Sequence, residues 1–244
     1  MRSALRRAAL LSLGLLCAAA ALWAGWRLLA PLVPPRLDPR APLDLAAPPD
    51  ALTRWRLSRL EADPPACLAA LAAAGLPVAR VPERPVRDGC GIESGVRLPS
   101  RVALRPNAPA ATCGVAAAWA IWERHTLAPA ARRHLGSDLA WVRHAGTYNC
   151  RDVRGSGGAA EGRARRSQHA TANAVDVTGF GLRDGREVTL RAWRAAGGGG
   201  PEAAFLREAR DGACRVFGAV LGPDRDAAHA GHLHLDRGRA RVCR

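Results

Sequence analysis

The chain has 244 residues, 48% of them hydrophobic, and a formal charge of +15. That length suits one domain with a sizeable core plus a leader, and the hydrophobic share is that of a globular protein. All 36 basic residues are arginine, spread along the chain with only Arg163, Arg165 and Arg166 as a compact group, which argues against a nucleic-acid binder and leaves anionic partners such as lipid headgroups or cell-wall polymers.

The first element read along the chain is apolar. Arg2, Arg6 and Arg7 precede an uncharged run from Ala8 to Trp26, then Arg27 and Leu28 to Val33. Such a run nearly covers a hydrocarbon core of about 30 Å, and the flanking charge places the amino terminus in the cytoplasm with the rest outside. Residues 1–30 therefore read as an inner-membrane anchor. Ala18-Ala19-Ala20 keeps open a cleaved signal peptide and a secreted product. The six cysteines outside this run, Cys67, Cys90, Cys113, Cys150, Cys214 and Cys243, predict three disulfides in an oxidising compartment, here the periplasm, with the pairing undetermined.

Seven prolines between Pro31 and Asp50 predict a stiff linker over residues 31–50, with the domain occupying 51–244. A helix is expected over Leu52–Ala62. A second has Asp63 as N-cap and Pro64 in its first turn, and stops at Gly75. Val96–Leu104 reads as extended, Ala111–His125 as a helix, and a short helix runs from Pro129 to Gly136. Leu139–His144 reads as a strand and Gly155–Arg166 as a Gly- and Arg-rich loop. Ala174–Phe180 and Glu187–Leu190 read as paired strands, and Gly197–Gly200 as a flexible stretch. Pro201–Leu221 shows a helical stripe of Phe205, Ala209, Ala213, Val216, Phe217 and Val220, halted by Gly222-Pro223. Leu233–Leu235 closes the sheet. The sum is an α+β fold, a small mostly antiparallel sheet flanked by helices and stapled by disulfides.

Two runs carry the chemistry: Ser167-Gln168-His169 through Asp176, and His229-Ala230-Gly231-His232-Leu233-His234-Leu235-Asp236. Alternation along a strand puts His232, His234 and Asp236 on one face and Leu233 and Leu235 behind it. Asp176 shares a face with Ala174, and His169 precedes that strand on a turn. Zinc takes His nitrogen and carboxylate oxygen, with three protein ligands in a catalytic site. Asp236 orients a ligand imidazole or serves as an ion-pair partner. His125, His134 and His144 read as surface residues.

These two runs resemble those of the LAS-type zinc peptidases, which include D-Ala-D-Ala carboxypeptidases, lysostaphin-type enzymes and penicillin-insensitive murein endopeptidases. Over Cys67–Arg244 the chain resembles still more closely the bacterial extensin-like C-terminal domain family. The matching stretches are Tyr148-Asn149-Cys150-Arg151, Ser167-x-His169-Ala170, Asn173-Ala174-x-Asp176, Ala213-Cys214-x-x-Phe217, Leu221-Gly222-Pro223, the His-rich run and Cys243-Arg244. The resemblance implies a LAS (Hedgehog/D,D-peptidase)-type fold with Zn2+ held by His169, Asp176 and His234. His232, or else His229, would assist as the catalytic group. Arg151 suits a substrate carboxylate, and Ser167 a hydrogen bond to substrate or water. The expected activity is hydrolysis of an amide bond in peptidoglycan. Two positions depart from the pattern: Gly231 stands where some relatives carry a general-base Glu, and Ala172 where Gly is usual. The first keeps a second expectation in view, a non-catalytic cell-wall binding or scaffold domain.

Overall fold

The computed structural model describes residues 2–153, 165–194 and 199–244. Arg163 and most of the expected Gly155–Arg166 loop lie outside the described residues, as do Gly197 and Gly198 of the glycine run. Contacts divide the chain into two units, Met1–Ala41 and Pro42–Arg244.

The first unit is helix α1 (Arg2–Leu29) with a short turn after it. Its segment Leu10–Leu32 is long and apolar enough to cross a membrane.

The second unit begins before Ala51. Leu43 and Leu45 are already buried in its core, so part of the stretch expected as a linker packs against the domain through these two leucines. Helix α2 (Thr53–Glu61) turns Leu57 and Leu60 inward. Helix α3 (Pro64–Ala73) starts as its signals require, with the Asp63 carboxylate accepting the Ala66 N–H at 3.1 Å. Gly75, at φ +70°, follows its end.

Two strands that the sequence pattern does not announce, β1 (Arg84–Arg87) and β2 (Cys90–Ile92), form a hairpin. The extended stretch expected over 96–104 divides. β3 (Gly95–Arg97) pairs with β5 (Ala110–Thr112), while β4 (Ala103–Arg105) joins the main sheet beside β6 (Leu139–Gly146). The break between them wraps the buried Glu123 carboxylate, which accepts from the Ser100 hydroxyl and the N–H groups of Arg101 and Val102 at 2.7–3.1 Å. Burial raises the Glu123 pKa, and these donors oppose the rise.

Helix α4 (Cys113–Trp122) is buried on every side. The Thr112 hydroxyl caps it by accepting the Val115 N–H. The sequence suggests a stop near His125 and a fresh start at Pro129. Instead the helix runs on through a π turn (Glu123–Leu127), the short α5 (Ala128–Ala130) and a second π turn (Ala131–Leu135), ending at Gly136, φ +66°. Pro129 lacks an N–H and crowds the preceding turn; the wider π turns on either side absorb it without a break.

The main sheet runs in order through β11 (Val242–Cys243), β9 (Ala219–Leu221), β10 (Leu233–Asp236), β7 (Ala174–Leu182), β6 and β4, with β8 (Glu187–Thr189) also on β7. It is mostly antiparallel, with β4–β6 and β9–β11 parallel. A bulge at Thr178, where β7 gains a residue against β6, resets the alternation. Val175, Val177, Phe180 and Leu182 consequently all point into the core, and Phe180 meets Phe205 of helix α6 (Pro201–Ala213) edge to face at 5.0 Å. Helix α6 is shorter than its apolar stripe suggests. Ala219–Leu221 is strand β9, laid between β10 (Leu233–Asp236) and β11 (Val242–Cys243). Gly218 precedes it, and a Cβ there would lie 2.3 Å from the Gly238 carbonyl oxygen. Val216, Phe217 and Val220 are buried regardless, because a buried turn and strand satisfy the same apolar pattern.

The three disulfides are Cys67–Cys113, Cys90–Cys150 and Cys214–Cys243. The first joins α3 to α4. The second ties the β1–β2 hairpin to the segment after β6. The third binds the carboxy-terminal strand to the end of α6.

Candidate metal centre

His234 and Asp176 are Cα partners across the β10–β7 ladder. Their neighbours Leu233, Leu235, Val175 and Val177 are fully buried on the core side, so both polar side chains stand on the other face of the sheet. His169 arrives from a short 3-10 turn, Gln168–Thr171. The Ser167 hydroxyl caps that turn by accepting the His169 N–H at 3.3 Å. The turn closes at Ala172 in the left-handed region, φ +52°, a conformation that favours glycine. Asn173 then locks the turn to the body. Its amide donates to Gln168 at 2.7 Å and its oxygen accepts the Thr112 hydroxyl at 2.9 Å.

These elements bring three donor atoms together. Nδ1 of His234 lies 2.9 Å from Oδ1 of Asp176. Nε2 of His169 lies 3.2 Å from the same oxygen and 3.1 Å from His234 Nδ1. The outer nitrogens of both rings are engaged elsewhere. His169 Nδ1 is 3.0 Å from the Thr147 carbonyl, which can only accept, so the proton sits on Nδ1 and a lone pair on Nε2. His234 Nε2 is 3.0 Å from Oδ2 of Asp236, and the same logic leaves its lone pair on Nδ1. Three electron pairs thus converge within about 3 Å, an arrangement suited to a cation. Zinc with bonds of about 2.0–2.1 Å has tetrahedral edges of roughly 3.3 Å, close to the spacing present. The residues fit a metal, and among the described residues no other group of three or more His, Cys, Asp and Glu side chains does.

The electrostatics agree. Burial works against the Asp176 carboxylate, yet the His169 and His234 rings, which donate to it when protonated, outweigh burial and hold the group well below the usual carboxylate range. Burial likewise opposes a charged His234, but Asp176 and Asp236 push its pKa up to about 9. Without a metal, a proton serves as the cation.

His232 is half-buried, its Nε2 3.7 Å from Asp176 Oδ1. Burial lowers its pKa, Asp176 pulls the other way, and the neighbouring imidazoles deepen the lowering, leaving a neutral ring able to accept a proton. His229 lies beside it, ring centroids 5.1 Å apart, and is held by Asp226 at 2.7 Å. Gly231 is open on all sides, with nothing within 4 Å of a Cβ placed there.

Of the residues expected to bind substrate, Ser167 is buried beneath the turn. Arg151 is half-buried, its guanidinium donating to the Asp152 carbonyl at 3.3 Å while its own carbonyl accepts the Ser167 N–H. Arg166 pairs with Asp152 at 2.7 Å, and Arg165 is exposed. Asp236, open between two readings in the sequence, orients His234. Its other oxygen accepts the N–H of Gly238 at 2.8 Å and of Ala219 at 3.3 Å. The Thr147 carbonyl has no sequence signal, since any residue supplies one. His144 departs from the surface expectation. It is buried, its Nε2 2.7 Å from the Asn107 carbonyl.

Residues 65–244 match the family described as extensin-like protein C-terminus, and the chain belongs to that family. No curated protein and no solved structure matches it.

Proposed function

We propose that this extensin-like C-terminal domain is a zinc-dependent hydrolase that cleaves an amide bond in peptidoglycan stem peptides or crosslinks. The N-terminal segment would anchor it to the inner membrane with the domain in the periplasm. The observation that carries this reading is the meeting of His169 Nε2, His234 Nδ1 and Asp176 Oδ1 at 2.9–3.2 Å, with both outer ring nitrogens already donating. The resemblance of the two histidine runs to LAS-type zinc peptidases supplies the substrate class. Export across the membrane, supported by the apolar helix and the disulfides, puts the domain where that polymer is found.

Zinc bound there would supply a Lewis acid and activate water at neutral pH. His169, Asp176 and His234 would hold it. Thr147 and Asp236 fix the two imidazoles in the ligating tautomer. His232 Nε2, neutral through burial, takes up a proton as the amide is attacked and returns it to the leaving amine. His229 packs against that ring and limits its rotation. Arg151 lies on the strand-like segment beside the turn that carries His169, a suitable place from which to meet a substrate carboxylate.

The test is zinc stoichiometry of the full chain in detergent, followed by release of soluble fragments from purified peptidoglycan. One zinc per chain in the wild type, none in Asp176→Ala, and zinc-dependent turnover are the expected results. A wild-type chain that is folded, oxidised and free of bound zinc after incubation with the ion overturns the reading. A second reading, a wall-binding domain that keeps the metal without turnover, is favoured by Gly231 in the general-base position; it predicts zinc and peptidoglycan retention with no released fragments.

A further inference from the structure

Strand β6 outruns its neighbour. β4 pairs with it only as far as Arg143, and β6 continues through His144, Ala145 and Gly146. On the β7 side the register passes from His144↔Val177 to Gly146↔Asp176, so Ala145 is bulged. It has no cross-strand partner on either edge among the described residues, and it is exposed. After β4 the chain leaves the sheet at Pro106. The segment to Ala110 reaches back only to β6-side side chains, through the Asn107 carbonyl to His144 and the Ala110 carbonyl to the Thr147 hydroxyl.

Along this uncovered edge lies a cleft of about 420 Å³, a usual size for a ligand site. Prolines 82, 106 and 109 form its apolar walls, Arg84, Arg97 and Tyr148 also line it, and no acidic residue does. Arg84 stands over the Tyr148 ring at 5.6 Å. The hairpin bearing Arg84 is bolted beside the cleft by Cys90–Cys150. The three candidate ligands do not line it, but its floor leads to them. Gly146 is the strand partner of Asp176, and the Thr147 carbonyl holds His169.

We infer that this cleft binds an extended peptide with a free carboxylate, paired with the uncovered main chain at Ala145 and Gly146, the carboxylate gripped by Arg84 and Arg97. An open strand edge offers main-chain donors and acceptors to an extended chain. Two arginines without a competing acid select an anion. This deepens the hydrolase reading, on which it rests for the idea that the bound peptide is substrate; the binding itself requires no metal.

The probes are acetyl-tetra-alanine with a free carboxylate, its carboxy-terminal amide, and an analogue N-methylated at its second and third residues. They are titrated calorimetrically into the full chain in detergent. The free acid should bind about tenfold more tightly than the amide, and Arg84→Ala with Arg97→Ala should erase that preference. N-methylation should abolish binding. Ala145→Pro, at a bulge where proline is tolerated, should weaken it at least fivefold. Binding should survive in Asp176→Ala, which separates the cleft from the metal centre. Equal affinity for acid and amide, or undiminished binding of the N-methylated peptide, overturns the inference whatever the zinc content. Peptide binding in a chain that takes up no zinc sinks the hydrolase alone.

Discussion

Replacing Asp236 by asparagine should damage zinc binding through a proton and not through lost bulk. One carboxylate oxygen accepts two backbone N–H groups, Gly238 at 2.8 Å and Ala219 at 3.3 Å, while the other faces His234 Nε2 at 3.0 Å. Asparagine has a single oxygen to place. Leaving a buried N–H unmade costs about 1–3 kcal/mol, so two backbone donors outweigh one imidazole and hold the oxygen on their side. The NH2 group then faces His234 Nε2, which must accept, and the ring proton moves to Nδ1. That atom faces Asp176 and the metal position, so a ligand lone pair is lost. Disturbing such an outer partner typically lowers metal affinity about 10–100-fold, or roughly 1.4–2.7 kcal/mol. Asp236→Ala, which lets a water accept from Nε2, should lose less. The assay is competition for zinc against a chromophoric chelator, with the imidazole tautomer read by nitrogen NMR. Wild-type affinity in Asp236→Asn, or a larger loss in Asp236→Ala, would refute the tautomer argument.

Gly231→Glu meets no obstruction, and under the hydrolase reading it should raise fragment release from peptidoglycan about tenfold or more, with zinc content unchanged; no gain would leave His232 as a sufficient base. Gly181→Ala would put a Cβ 2.0 Å from Trp141. It should destabilise the domain by about 1–3 kcal/mol in denaturant unfolding, and an unchanged midpoint would refute that packing. The Cys90–Cys150 bridge closes a 60-residue separation; Cys90→Ser with Cys150→Ser should cost roughly 4 kcal/mol on the loop-entropy estimate and weaken the peptide probes while sparing zinc binding. Glu208 is held below the usual carboxylate range by the Arg133 guanidinium, with burial opposing and His134 assisting. A lowered native pKa adds stability above the unfolded value of about 4.3 that disappears as pH falls through the native one. Glu208→Gln should therefore cost up to about 1 kcal/mol at pH 7 and progressively less below about pH 4, measured by urea unfolding across that range.

What the sequence determined by itself was local. Asp63, Pro64 and Gly75 set the limits of α3 because caps act within one turn of the chain. The alternation of His232, His234 and Asp236 with two leucines placed three polar groups on one strand face because a strand has a two-residue period. The donor types alone showed only that the two runs could supply His, Asp and His to a metal; the particular set of His169, Asp176 and His234 was implied by their resemblance to zinc peptidases. The tertiary structure decided whatever depended on a partner far along the chain. Three disulfide pairs came out of fifteen possible pairings because the packing brings only certain sulfurs together. Residues 219–221 became β9 because β10 and β11 offered ladders on both sides, although their apolar spacing also suited a helix. The Pro129 signal yielded to a continuous helix because π turns accommodated it within the core. Asp236 took its orienting role only once Gly238 and Ala219 occupied its second oxygen. The Thr147 carbonyl and the cleft beside it have no trace in the sequence, since a backbone carbonyl carries no residue identity and a free strand edge exists only where a neighbouring strand ends.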